Sequence, residues 1–273
     1  MSLLKIADLR VSFPGRGWRA KPVEVLHGVS LDVTPGETLG LVGESGSGKT
    51  TIGRAVLGLV KPSGGEISFR DETISRLAPR ARRRLSKDIQ VVFQDPYTSL
   101  NPSLTIGDIL AEPLVVQGAT AKDARTRVRI LLDQVGLPAD AADRLPREFS
   151  GGQRQRVAIA RALAPQPKLI VCDEPVSALD LSTQERVLDL FMEIQRSTGV
   201  AYLFVSHDLS VVRHISHRVA VLYRGDIVET GPAATVTTTP DHPYTQRLLL
   251  AAPVADPVVQ QQRREERRRL LAA

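Results

Sequence analysis

The 273-residue chain has a single cysteine, Cys172, and few aromatic residues, 4% of the total. One thiol excludes a disulfide within the chain, a four-cysteine zinc site and an iron–sulfur cluster ligated by the chain's own cysteines. No run approaches the roughly 18 consecutive apolar residues that a membrane-crossing helix needs. The opening Met1-Ser2-Leu3-Leu4-Lys5 lacks the basic-then-apolar layout of a secretory signal. The sequence therefore reads as a cytosolic protein, at most peripheral to a membrane. Charge of one sign is also scarce: 36 basic against 30 acidic residues leave +6. Much of that excess lies in Arg80, Arg82, Arg83 and Arg84 and in the tail from Arg263 to Arg269, which reads as a solvated terminal helix. Such an excess reads first as solubility, with nucleic acid, phosphates or anionic lipid headgroups as the alternatives, and by itself names no partner. What the chain does have is aliphatic bulk, 42% hydrophobic against 24% charged residues, enough for a sizeable core. The length suits two domains or one large α/β domain with an insertion.

The order of patterns along the chain favours the second. Leu3 to Phe13 and Val23 to Val33 read as strands, separated by the Gly- and Arg-rich loop Pro14 to Pro22. Leu39 to Val42 is a short buried strand, Lys49 to Leu59 is helical and ends before Pro62, and Gly65 to Phe69 is again a strand. From Ser99 to Ala164 the strand pattern disappears. Ile106 to Val116, Ala124 to Val135 and the stretch from Ser150 to Leu163 have helical periodicity, which marks a helical subdomain inserted in an α/β core. The rhythm then returns: strands at Leu169 to Cys172 and Val200 to Val205, helices at Ser182 to Arg196 and Leu209 to Ile215, and a closing hairpin around Gly225-Asp226. Alternation of this kind predicts a mostly parallel sheet covered by helices.

Gly43-Glu44-Ser45-Gly46-Ser47-Gly48-Lys49-Thr50 fits the phosphate-binding pattern G-x-x-x-x-G-K-[ST] at every position. Glycines let successive backbone N–H groups turn inward around an anion, and the helix that follows offers its free N-terminal donors. In this pattern Lys49 reaches the β- and γ-phosphates and the Thr50 hydroxyl ligates Mg²⁺, with Thr51 next in the first helical turn. An apolar strand before the loop and a helix after it supply the context that a chance Gly/Ser-rich loop lacks. The second half of such a site is an acid at a strand end, and Leu169-Ile170-Val171-Cys172-Asp173-Glu174 provides one. Asp173 is placed to hold Mg²⁺ through water, and Glu174 to orient or polarise an attacking water. Cys172 reads as a small buried filler.

Between these elements stands Phe149-Ser150-Gly151-Gly152-Gln153-Arg154-Gln155-Arg156, which phosphate-loop chemistry alone does not require. With it, the sequence resembles the ATP-binding cassette (ABC) ATPases over about Leu3 to Gly231. The resemblance implies a P-loop α/β core with an antiparallel β subdomain and an inserted α-helical subdomain at about 99–164, and a short C-terminal extension from 232 to 273. It implies ATP and Mg²⁺ as ligands, and no iron–sulfur cluster, since the extension has no cysteine. Gln94, in Val92-Phe93-Gln94-Asp95-Pro96, corresponds to the Q-loop glutamine that contacts Mg²⁺ and the water. Ser150-Gly151-Gly152-Gln153 is the signature, with Phe149 in place of the commoner leucine. Ser177-Ala178-Leu179-Asp180 matches the D-loop, and His207 the switch histidine at the γ-phosphate. Phe13 is the candidate aromatic for stacking on adenine. In the family the signature and Asp180 face the nucleotide held by a second subunit, so two cassettes close over two ATP molecules.

Gln94 to Pro102, Thr105 to Leu114 and Asp241-His242-Pro243-Tyr244-Thr245-Gln246-Arg247-Leu248-Leu249 resemble the dipeptide/oligopeptide/nickel importer branch. That resemblance implies the cytoplasmic face of a bacterial inner membrane, a second and generally non-identical ATPase subunit, two transmembrane permease subunits and an extracytoplasmic solute-binding protein, and no nucleic acid. Di- and oligopeptides are the expected cargo, with nickel or glutathione as alternatives. A soluble ABC ATPase of DNA repair or translation is the remote alternative, against which the absence of a coiled-coil insertion or second cassette counts.

Overall fold

The computed structural model describes residues 1–15, 17, 21–251 and 261. The tail read as a helix lies outside them, as do Arg16 and Trp18 to Ala20 of the loop after Phe13. In chain order the strands are β1 (Leu4–Phe13), β2 (Val23–Val33), β3 (Thr38–Val42), β4 (Gly64–Phe69), β5 (Glu72–Thr73), β6 (Ile89–Val92), β7 (Leu169–Asp173), β8 (Ala201–Ser206), β9 (Arg218–Tyr223) and β10 (Asp226–Pro232). The helices are α1 (Lys49–Val56), α2 (Pro79–Arg82), α3 (Pro96–Ser99), α4 (Ile106–Val116), α5 (Ala121–Gln134), α6 (Gly151–Leu163), α7 (Leu181–Thr198), α8 (Leu209–Ile215), α9 (Ala233–Val236) and α10 (Pro243–Ala251). The chain divides into two compact units: residues up to Arg76 together with those from Phe204 onward, and Leu77–Leu203.

In the first unit β2-β1-β4-β5 form an antiparallel sheet. The buried residues of β1 change phase along the strand, from Leu4 and Ile6 to Leu9 and Val11. A register shift between Ile6 and Leu9 resets the alternation, and Asp8 sits in it at φ 48°. A bulge is the device that lets both halves of a strand face one core. Every residue of β3 is buried; it pairs parallel with β9, Val42 opposite Val221, and β10 returns antiparallel to β9. The hairpin expected around Gly225-Asp226 is therefore present. Helix α8 seats directly on β3, where a Cβ at Gly40 would lie 2.4 Å from Val212 Cγ1. The core here joins Val42, Leu209, Val212, Val219, Val221, Ala233, Val236 and Tyr244.

In the second unit β6 and β7 pair parallel, Val92 opposite Cys172, and Cys172 is fully buried as a filler of the apolar strand. The stretch expected to be helical contains α4, α5 and α6. Thr105 and Thr120 cap the first two by accepting from the backbone N–H of Asp108 and Asp123. Their inward faces are aliphatic: Ile106, Ile109 and Leu110 on α4, and Val128, Leu131 and Leu132 on α5. The long α7 ends at Gly199, left-handed at φ 69°, where glycine bears no Cβ penalty. Among the described residues no helix is long and apolar enough to cross a membrane.

Candidate functional site

The phosphate loop leaves the buried β3 and enters α1. Gly43 is required by close approach: a Cβ there would lie 2.1 Å from the Leu222 carbonyl oxygen. Gly48 stands at the N-cap of α1 at φ 111°, a conformation that side chains resist. No side chain caps α1 and its first turn contains no acid, so nothing there opposes negative charge at its N-terminus. Lys49 is 4% exposed, and its Nζ donates to the Gly43 and Glu44 carbonyls, both at 2.7 Å. The loop closes on itself through Ser47 N–H to the Glu44 carbonyl (3.2 Å) and is met from the β9–β10 turn by Gly225 N–H on the Ser47 carbonyl (3.0 Å). The Ser47 hydroxyl is buried without a hydrogen-bond partner, whereas buried hydroxyls are ordinarily paired. A glycine-rich loop with a buried ammonium, an orphan hydroxyl and the positive end of a helix fits a polyphosphate.

In the same unit His207 follows β8 and is exposed. The turn that carries it is fixed by Asp208 N–H on Ser206 Oγ (3.0 Å) and by Asp208 capping α8 at Ser210 N–H (2.7 Å). Phe13 ends β1 opposite Val23 and is 39% exposed.

The second unit holds the remaining predicted residues. Because Val92 and Cys172 are in register, Gln94 and Asp173 leave the same end of neighbouring strands, Gln94 exposed and Asp173 half-buried. Glu174 follows at φ 50°, a left-handed conformation costing on the order of 1–3 kcal/mol for a side-chain-bearing residue. Ser177 holds it there, donating both N–H (3.3 Å) and Oγ–H (3.0 Å) to the Glu174 carbonyl. Among the described residues no group of three or more His, Cys, Asp or Glu side chains forms a metal cage. Within this unit Asp173 offers a carboxylate and Gln94 a neutral amide oxygen, hard oxygen donors of the kind that Mg²⁺ takes.

Ser150 opens α6 through a reciprocal cap: its Oγ accepts from Gln153 N–H (3.3 Å) and Gln153 Oε1 accepts from Ser150 N–H (3.0 Å). Gly152 has a packing reason, since a Cβ would meet Thr183 Cγ2 at 2.4 Å; Gly151 has none of that severity. Phe149 is buried, with the Arg144 guanidinium 4.5 Å from its ring centre, so the aromatic replacement is accommodated. Asp180 caps α7, accepting from Thr183 N–H (3.0 Å) and Ser182 Oγ–H (2.8 Å). Those bonds hold its carboxyl down at about 2.

Two contacts were not foreseen. The Arg154 guanidinium lies 4.2 Å from the centre of the Tyr97 ring, joining the segment after Gln94 to the signature helix; no spacing rule signals it. The Tyr244 hydroxyl accepts from the Glu44 N–H at 2.9 Å. The sequence singles out the Tyr244 segment but not its target.

A glycine-rich loop between a buried strand and a helix, a buried lysine folded back on it, and a pair of acids at the end of the parallel strand β7 are the marks of a P-loop nucleoside triphosphatase. The family model described as ABC transporter matches residues 26–177, more than half of the chain, and the chain belongs to that family. The chain is 53% identical over 260 residues to the glutathione import ATP-binding protein GsiA of Escherichia coli K12, covering 93% of this chain and 42% of GsiA. It thus spans about two fifths of the length of the curated relatives it matches. CbiO1 of Clostridium perfringens, part of the ABC transporter complex cbiONQ, superposes with a TM-score of 0.78 at 27% identity, over 87% of this chain and 91% of that one. The cassette MJ0796, in a dimeric post-hydrolysis state bound to ADP and Pi, gives 0.74 at 29% identity, over 84% and 98%. The expected ABC fold, with mixed strand pairing and an inserted helical segment, is the fold observed, and ATP binding and hydrolysis are the activity of its class.

Proposed function

We propose that the chain is the ATP-hydrolysing part of a membrane importer that takes up glutathione. The observation that carries the cargo is the 53% identity to GsiA across 93% of the chain. It favours glutathione over the di- and oligopeptides expected from motif resemblance, and glutathione is itself a small peptide. The partners in this reading are a second cassette, two permease subunits and an extracytoplasmic binding protein, with the chain peripheral at the cytoplasmic face of the inner membrane.

The residues divide the chemistry. Lys49, the loop donors and the first turn of α1, with Thr50 and Thr51, take the phosphates. Ser47 gains a partner for its orphan hydroxyl, and Phe13 stacks on adenine. Thr50, Gln94 and Asp173 would hold Mg²⁺, which when bound supplies charge neutralisation on the phosphates. Glu174 orients the attacking water and accepts its proton as the new O–P bond forms and the bond to the β–γ bridging oxygen breaks. His207 steadies the γ-phosphate, so ATP and water leave as ADP and phosphate. Ser150, Gly151, Gly152 and Gln153 present a second helix start, and with Asp180 serve the nucleotide of the opposing cassette. Closure of two cassettes over ATP and release after hydrolysis is the mechanical output.

The test is uptake of radiolabelled glutathione by cells lacking and then regaining this chain, with unlabelled glutathione, dipeptides, oligopeptides and Ni²⁺ as competitors. Restored uptake blocked by glutathione alone supports the reading. Competition by dipeptides or nickel reassigns the cargo, and recovery of the chain with ribosomes or DNA instead of permeases removes the transport role.

A further inference from the structure

The segment from Asp241 to Leu249 is conspicuous in the sequence without a task in catalysis. In the structure Glu229 on β10 accepts from the backbone N–H of Asp241 (2.9 Å) and His242 (3.2 Å). Gln246 Nε2 donates to the Pro240 carbonyl (3.0 Å). These bonds set the start of α10, and Tyr244 on its first turn is driven inward to 2% exposure. Its ring lies 4.1 Å from that of Tyr223, tilted by 33°, and joins the core cluster of Val42 and Val221. At the inner end its hydroxyl takes the N–H of Glu44, 200 residues earlier.

That N–H belongs to the peptide plane whose carbonyl is that of Gly43, and the carbonyl accepts the Lys49 ammonium. One rigid plane is therefore pinned at both ends, by Lys49 on the oxygen and Tyr244 on the nitrogen. Glycine at 43 is the residue that would otherwise let this plane turn over, and turning it would forfeit both bonds. We propose that Tyr244 is a positioning residue for the phosphate loop, holding the Gly43–Glu44 peptide so that the loop is shaped for nucleotide before nucleotide arrives. The proposal rests on reading the loop as the nucleotide site. A loop that must be ordered on binding has its affinity reduced by the fraction of molecules already competent, and a buried hydrogen bond of this kind corresponds to roughly three- to tenfold. Burial raises the pKa of the Tyr244 phenol, which keeps it a neutral hydroxyl at physiological pH.

The experiment uses the full chain with a fluorescent ATP analogue and Mg²⁺, and with the matching ADP analogue. Tyr244→Phe removes only the hydroxyl; the expected result is roughly three- to tenfold weaker binding of both nucleotides and faster amide exchange at Glu44. Glu229→Ala, which removes the hydrogen bonds to Asp241 and His242, shifts both readouts in the same direction. Tyr202→Phe is the control: it loses a buried hydroxyl bond to the Phe191 carbonyl (3.1 Å) and with it stability, yet binds nucleotide as the parent does. Binding within about 1.5-fold of the parent with unchanged Glu44 exchange in Tyr244→Phe overturns the proposal. If the parent binds neither nucleotide, the nucleotide reading falls, while exchange at Glu44 still decides whether Tyr244 braces the loop.

Discussion

Gly152 in the signature can be tested as a packing position apart from any role at a nucleotide. A Cβ there would lie 2.4 Å from Thr183 Cγ2, and the next nearest atoms, Thr183 Cβ and Oγ1, stand at 3.8 and 4.0 Å. The conflict is therefore with one methyl group. Overpacking of that sort costs about 1–3 kcal/mol. Gly152 lies within α6 and is not among the left-handed positions, so alanine recovers up to about 1 kcal/mol of helix propensity. Gly152→Ala alone should destabilise by about 0–3 kcal/mol. Thr183→Ser deletes the methyl, keeps the hydroxyl, and leaves the backbone N–H that Asp180 accepts at 3.0 Å. In that background Gly152→Ala should be neutral or stabilising by up to about 1 kcal/mol. The double-mutant cycle should thus show a coupling of about 1–3 kcal/mol in favour of the pair. Urea unfolding followed by far-UV circular dichroism gives the four midpoints. Amide exchange along α6 reads the same cycle if the two units unfold separately. A coupling below about 0.5 kcal/mol, the usual margin of additivity, refutes the contact.

Glu174→Gln should retain ATP binding while phosphate release falls by about 10²- to 10⁴-fold; near-normal release would remove Glu174 as the group that orients water. The His27 imidazole is raised above its usual range by its hydrogen bond to Asp226 (3.1 Å), with burial opposing. Its contribution to stability is therefore fully present below about pH 6.5 and fades as pH rises through the raised value. Denaturation midpoints across that window should lose this dependence in Asp226→Asn. Asp180 works in the opposite sense: with its carboxyl at about 2 against 3.8 unperturbed, its capping contribution is present above the unperturbed value and lost as pH falls towards the lower one. Direct NMR titration of that carboxylate checks the shift, and a midpoint near the unperturbed value would show that the cap is not formed.

The site was legible wherever its chemistry depends on short spacing. A phosphate loop needs its glycines, lysine and threonine within eight residues, and the acids must follow an apolar strand directly, so 43–50 and 169–174 declare themselves. Helices α4 and α8 fall where periodicity puts them, Ile106–Val116 and Leu209–Ile215. β6 leaves no mark in the sequence: four residues, Ile89–Val92, are too few to show a period, and its identity depends on pairing with β7. The phase change inside β1 hides in the same way, since a bulge is defined by what lies opposite. Long-range contacts left the least trace. Glu229 looks like any exposed acid on a hairpin strand, and only the fold shows that it anchors a segment 12 residues further on. Cargo sits differently again: local motifs resemble a peptide and nickel branch, whereas the similarity that runs along nearly the whole chain is to proteins named for glutathione import.

The phosphate loop also shows why a perfect motif is not sufficient for a rigid site. Lys49 binds the loop from within, at the Gly43 and Glu44 carbonyls. Gly225 reaches the Ser47 carbonyl from the β9–β10 turn, and a Cβ at Gly225 would stand 2.4 Å from the Val25 carbonyl oxygen, so that turn has little room to move. Tyr244 takes the Glu44 N–H from α10. Three bonds from within the loop and its helix are thus supplemented by two from segments about 180 and 200 residues away, arriving at opposite ends of the Glu44–Ser47 stretch. A variant that relaxes either distant segment should loosen the loop while leaving every motif residue intact. Nucleotide affinity in such variants should follow the exchange rates of the Glu44 and Gly225 amides, and not the overall stability of the chain.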